Sequence, residues 1–201
     1  MGMMRPKIKF CGLKVQSEVD FCAENKIDFV GFVFHTNSPR NLPLEQFASL
    51  NLEKLQNVVT VFQDSTAKQI LQVLATNRVD FIQIHGEIPQ ELMGDKRVIK
   101  AFSGEDFTQN DFTKYNFCKY FLFDSTVAGS GFERDFSFAK NLELTTKKPF
   151  FLAGGININN AYSALKFTNM VDISSGIEEV RGVKSLNLME DIVKSFKKTS
   201  L

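Results

Sequence analysis

The chain has 201 residues, 43% of them hydrophobic, and a formal net charge of +1. That length supports one domain, residues 1–201, with a full core, and the composition excludes a disordered chain. Near-neutrality argues against a general nucleic-acid surface, and no apolar run approaches the ~18 residues that a membrane span needs.

In chain order, the Met1–Pro6 segment has no long apolar region, so no signal peptide is expected. Pro6 also stands where a myristoylation motif has Ser or Thr. Runs of β-branched and aromatic residues then predict eight strands: 7–11, 28–34, 57–62, 80–84, 97–102, 119–124, 149–153 and 171–175. Helical periodicity fills the gaps. Val19, Cys22, Ala23 and Lys26 share a face, as do Ile70, Val73, Leu74 and Asn77 after Asp64 or Ser65 as N-cap. Met189, Ile192, Val193 and Phe196 form the stripe of the last helix. The second, fourth and fifth helical segments are short or poorly patterned.

Strand alternating with helix implies a parallel sheet. Eight such units predict a compact α/β fold, a single (β/α)8 TIM barrel. An open doubly wound sheet is the alternative, but no G-x-G-x-x-G follows the first strand. The three cysteines, Cys11, Cys22 and Cys118, lack C-x-x-C spacing. They fit a reduced cytoplasmic protein, with neither a disulfide framework nor a zinc site.

In such a barrel, chemistry sits at the carboxyl ends of the strands. Those ends carry Cys11-Gly12, His35 with Ser38-Pro-Arg40, Asp64, Gln83-Ile-His85-Gly86, Lys100, Asp124, Gly154-Gly155 and Ser175-Gly176. Lys9 and Cys11 alternate onto one strand face, where the lysine's charge is expected to lower the thiol's pKa. The plain alternative for Cys11 is a buried thiol, and this is the reading taken for Cys22 and Cys118. Asp124 suits a general acid if apolar surroundings keep its proton; strand-end aspartates also form turns and caps. Arg40 offers a planar fork for a carboxylate, against the alternative of an exposed loop arginine. Gln83 and His85 share a face that can line the mouth, or His85 is a structural hydrogen-bonding residue. His35 reads as loop surface and Asp64 as a helix cap.

Gly154, Gly155, Ser175 and Gly176 follow strands seven and eight, the usual phosphate site of this fold. Asn157 is a candidate cap for the helical turn beyond the first pair. Gly129-Ser-Gly131 is a flexible surface loop or one that closes over substrate.

Taken together, these strand ends resemble phosphoribosylanthranilate isomerase, the small barrel enzyme of tryptophan biosynthesis. The resemblance rests on Lys9–Gly12, Val30–Phe34 with Ser38–Arg40, Val61-Phe62, Gln83–Gly86, Leu122–Ser125 and Gly129–Gly131 with Asp135-Phe136. It continues through Phe151–Gly155, Asn159-Asn160 and Val171–Glu178. It implies an Amadori rearrangement of a phosphoribosyl anthranilate, with Asp124 as general acid and Cys11 as general base. It further implies Arg40 on the anthranilate carboxylate, the glycine loops on the phosphate, and Asp172 as a supporting polar group at the mouth. No cofactor or metal is needed, because the imine forms within the substrate. The expected partner is a phosphorylated small molecule, with no nucleic acid and no membrane, bound by a monomer or homodimer. The chain departs from the family's pattern at Thr60, Ala128, Phe136 and Ser185.

Three other readings compete. A histidine-pathway isomerase would carry aspartates at both the Cys11 and Asp124 positions. A metal-dependent epimerase would need more than the two histidines present. A regulatory phosphate-binding barrel would keep the glycine loops without needing Cys11 and Asp124 together.

Overall fold

The computed structural model describes residues 5–103, 107–124, 136, 139–140 and 142–198. Within them, eight parallel strands close into a barrel in chain order. They are β1 (Lys7–Cys11), β2 (Phe29–Phe34), β3 (Val58–Gln63), β4 (Phe81–His85), β5 (Val98–Ser103), β6 (Tyr120–Asp124), β7 (Phe150–Ala153) and β8 (Met170–Ile173). The first and last strands meet in register, with Lys9 opposite Asp172. The barrel is the expected one, and every strand lies within a residue or two of its expected place.

Among the described residues seven α-helices alternate with the strands: α1 (Gln16–Glu24), α2 (Leu44–Ser49), α3 (Ala67–Leu74), α4 (Gln109–Lys114), α5 (Leu142–Thr146), α6 (Ala161–Ala164) and α7 (Leu186–Lys198). Between β4 and β5 a single 3-10 turn, Gln90–Leu92, replaces a helix. Among the described residues no helix is long and apolar enough to cross a membrane.

Three helix-end expectations are corrected. Neither Asp64 nor Ser65 caps α3. Thr66 does, accepting from the Gln69 amide while the Gln69 side chain accepts from the Thr66 amide at 2.8 Å. Asp64 instead has φ 52° and turns the chain out of β3. Lys26 and Asn77 lie beyond α1 and α3, also at positive φ, so neither extends the helical face. Nor does Asn157 cap α6: that place is held by Asn160, whose side chain accepts from the Asn157 amide at 2.8 Å, while the Asn157 side chain accepts from the Asn159 amide at 2.9 Å in the preceding turn. Ser185 caps α7, its carbonyl accepting from the Met189 amide at 3.0 Å and its hydroxyl lying 3.5 Å from the Leu188 amide. An aspartate would cap there equally well, so this family departure leaves the cap intact.

Alternation along each strand divides the core in two. Outward residues such as Phe10, Phe32, Ile82 and Phe121 pack against buried helix residues such as Val19, Phe47, Ile70 and Ile192. Inward residues fill the barrel. At its lower end Phe29, Phe81, Tyr120 and Phe151 meet with ring centroids 5.1 to 5.8 Å apart. Each such buried ring contributes roughly 1.5–3 kcal/mol. This apolar plug shuts the bottom and leaves only the upper mouth for polar groups. Thr60 faces outward, with its hydroxyl donating to the Phe81 carbonyl at 3.4 Å, so it stays clear of the mouth.

After β8 comes a feature the sequence reading did not anticipate. A 3-10 turn, Ser175–Ile177, leads into an antiparallel hairpin of β9 (Glu178–Val180) and β10 (Val183–Lys184). Gly182 turns it at φ 85°, and a Cβ there would lie 2.6 Å from the Pro39 carbonyl oxygen. The hairpin therefore packs on the loop that carries Arg40.

Candidate active site

A cavity of about 210 Å³ opens at the mouth. Cys11, Arg40, Gln83, His85, Asp124, Gly154, Gly155, Asp172 and Ser175 all line it. The barrel thus brings together nearly every site residue expected from sequence. Two placements differ. His35 also lines this cavity, because the chain leaving β2 folds back over the mouth rather than out to solvent. Gly176 lines no part of it: a Cβ there would meet the Ile156 carbonyl oxygen at 2.0 Å. Its role in the structure is to let the β8 loop seat against the β7 loop. Asp64 lines a neighbouring cavity of about 620 Å³, together with His85, Lys100 and Asp124. Cys22 and Cys118 are fully buried. Ala128 and the Gly129–Gly131 loop, with Ser125 and Asp135, lie outside the described residues.

Cys11 ends β1 with its thiol pointing inward, 6% exposed. Its neighbour across the ladder is Gly31, where a Cβ would lie 2.8 Å from Cys11 Sγ. Glycine on β2 is what gives the sulfur room. One layer below, the Lys9 ammonium is wholly buried and donates to Asp172 Oδ2 at 2.9 Å. Burial works against the Lys9 charge, but the Asp172 carboxylate and the Cys11 thiol hold its pKa above the ordinary lysine value. For Asp172, burial wins over the lysine and raises the carboxyl above its usual range. The attraction therefore shows in the lysine and the desolvation cost falls on the aspartate. Asp172 Oδ1 is buried without a hydrogen-bond partner, as is Gln83 Oε1.

Lys9 does pull the Cys11 pKa down, as expected, but burial outweighs it. Burial pushes the Cys11 thiol up, the nearby Asp172 charge adds to this, and Lys9 and Lys184 only partly offset it. The lysine is shared between the thiol and Asp172. On β4, burial lowers His85 to about 4, against the pull of Asp124, so the imidazole is neutral. Its Nε2 lies 2.9 Å from Gln83 Nε2 and accepts from that amide.

Arg40 lies between two strands' ends. On one side, a Cβ on Gly12, at φ 84°, would meet its Cδ at 2.8 Å. On the other, Nε donates to Glu178 Oε1 at 2.6 Å and Nη2 to Oε2 at 2.8 Å. Lys184, on the hairpin, donates to Glu178 Oε1 at 2.8 Å and to the Ser174 carbonyl at 3.0 Å. Ser174 in turn donates to the Cys11 carbonyl at 3.0 Å. Despite burial, these two cations lower the Glu178 carboxyl to about 2. Sequence reasoning missed both Glu178 and Lys184 as site residues. The available signal was Gly182, a turn glycine placed to fold the segment back.

Gly154 and Gly155 have φ of 91° and 63°, a conformation that side chains rarely adopt. The turn they make is held by Asn160, whose amide donates to the Gly155 carbonyl at 3.1 Å. Among the described residues no cluster of His, Cys, Asp and Glu is placed to hold a metal ion.

A closed parallel barrel whose mouth gathers a thiol, a carboxylate, a guanidinium and two glycine-bearing loops defines a barrel enzyme for a small anionic ligand. Residues 8–195 match the family model described as N-(5'-phosphoribosyl)anthranilate (PRA) isomerase. The chain belongs to that family. The isomerase of Streptococcus mutans is 33% identical over 199 residues, covering 96% of this chain and 99% of the relative. The crystal structure of the Thermus thermophilus isomerase superposes with a TM-score of 0.81 at 27% identity, covering 96% of this chain and 99% of that one. Another isomerase, in complex with reduced 1-(o-carboxyphenylamino)-1-deoxyribulose 5-phosphate, has a TM-score of 0.76 at 27% identity and covers 97% of this chain and 100% of that one.

Proposed function

We propose that this chain isomerises N-(5-phospho-β-D-ribosyl)anthranilate to 1-(2-carboxyphenylamino)-1-deoxy-D-ribulose 5-phosphate. The observation that carries the reading is one mouth shared by Cys11 and Asp124, with the Arg40 fork and the glycine loops around it. Asp124 gives a proton to the furanose ring oxygen, and the ring opens to a protonated imine. Cys11, as thiolate, takes the proton from C2 of the ribose. The enolamine then tautomerises to the ketone, and the proton balance closes without an external reactant. Arg40 holds the anthranilate carboxylate. Backbone amides of Gly154, Gly155 and Ser175 hold the phosphate, with Gly176 bringing the two loops together. His85 and Asp172 line the site and orient the sugar hydroxyls. The three cysteines are free, which fits a cytoplasmic enzyme.

The test is turnover of freshly made substrate, followed by loss of its fluorescence. Cys11→Ser and Asp124→Asn should each lower the rate by about 10²–10⁴-fold, the span of acid and base contributions. Folded, unaltered protein that turns over nothing would sink the reading. Either variant running near the parental rate would overturn that residue's role.

A further inference from the structure

We infer that Glu178 is a positioning residue, holding Arg40 side-on so that the guanidinium's outer edge alone meets the ligand carboxylate. The inference rests on the proposed role of Arg40.

The geometry is specific. A guanidinium has five N–H donors in a fixed plane. Glu178 takes Nε and one hydrogen of Nη2, at 2.6 and 2.8 Å. Both Nη1 hydrogens and the second Nη2 hydrogen remain, which is the end-on fork that fits a carboxylate with two parallel bonds. The side chain has little freedom to present any other edge. Gly12 closes one side, and the hairpin closes the other. Glu178 is itself fixed by Lys184, so that one carboxylate takes three charge-assisted bonds. Arg40, Glu178 and Lys184 together carry one net positive charge. That leaves this corner of the mouth one positive charge to meet one ligand carboxylate. The Lys184–Ser174–Cys11 chain of hydrogen bonds ties the same assembly to the backbone of the proposed base.

The experiment uses two probes: reduced 1-(o-carboxyphenylamino)-1-deoxyribulose 5-phosphate and its counterpart lacking the ring carboxyl group. Affinities are measured by titration calorimetry for the unaltered protein, Glu178→Gln, Glu178→Asp, Arg40→Ala and the Arg40→Ala/Glu178→Gln double variant. Glu178→Gln should weaken the carboxylated probe at least about tenfold, the loss of one charge-assisted bond, and leave the other unchanged. Glu178→Asp should fall between Glu178→Gln and the unaltered protein. With Arg40→Ala in place, Glu178→Gln should add no further loss. In turnover, Glu178→Gln should raise KM while kcat moves by less than about threefold, the sign of lost uniform binding.

Equal weakening of both probes, or full additivity with Arg40→Ala, would show a merely structural role. Tighter binding by Glu178→Gln would show a competitor for Arg40, not a guide. Equal affinity of the unaltered protein for the two probes overturns the carboxylate clamp and this inference with it. Failure of turnover alone, with probe discrimination intact, overturns the isomerase reading and leaves the positioning role standing.

Discussion

A single sulfur carries the proposed chemistry, and its surroundings make it a reluctant acid. Burial lifts the Cys11 thiol above its usual range, and the charge of Lys9, shared with Asp172, only partly offsets it. A weaker thiol acid is a stronger base once ionised, so the rate should climb with pH. We expect kcat/KM to rise from pH 7 through and beyond the ordinary thiol range, ~8.5, and not to level off below it. A pH–rate profile checks this; a plateau at neutral pH would contradict it. The same raised pKa has a stability sign. The native state holds the proton more tightly than the unfolded chain, so its contribution is complete below ~8.5 and fades as pH rises through the native value. Sequence alternation correctly placed Lys9 on the thiol's face. It could not show that the lysine's partner lies 163 positions away.

At the scale of elements, the strands were the legible part. Each is a β-branched or aromatic run bounded by polar or turn residues, and such runs form strands almost whatever surrounds them. The short connections were less so. Helix α6 has only four residues, and a 3-10 turn replaces one helix altogether. Too few residues are present there for periodicity to register. The β9–β10 hairpin has strands of only three and two residues, which pair only with each other. Its two charged residues, Glu178 and Lys184, have buried side chains that no local pattern announces. Gly176 shows how tightly these late loops fit. With a Cβ 2.0 Å from the Ile156 carbonyl oxygen, the backbone itself must move. Gly176→Ala should cost about 1–3 kcal/mol, the usual penalty of overpacking. It should also weaken phosphate-ligand binding, because the β7 and β8 loops separate. Urea unfolding and a titration with the reduced product analogue measure the two effects; an unchanged midpoint would refute the fit described here.

At the scale of the whole molecule, the barrel is one structure with two ends of opposite character. Aromatic rings seal the bottom, and charged groups crowd the top. The polar end depends on the apolar one, since inward-facing positions of the same strands supply both. Phe151 sits in that plug, fully buried against Phe29 and Tyr120. Phe151→Ala should cost about 3–5 kcal/mol, as large ring deletions do. Because the strands form one closed ladder, the loss should lower the urea midpoint of the entire transition without splitting it. Two separated transitions would show that the barrel does not unfold as a unit. The eight-strand count and the crowding at one end were both readable before any coordinates. The wiring among the crowded groups was not, because it joins residues that only closure makes neighbours.

The ion pair between Lys9 and Asp172 lies on that closing seam, one partner on the first strand and the other on the last. A chain growing from the ribosome should therefore keep Cys11 open to water until the eighth strand docks and closes that seam. Shielding of Cys11 from a thiol reagent thus marks the moment at which the nascent barrel shuts.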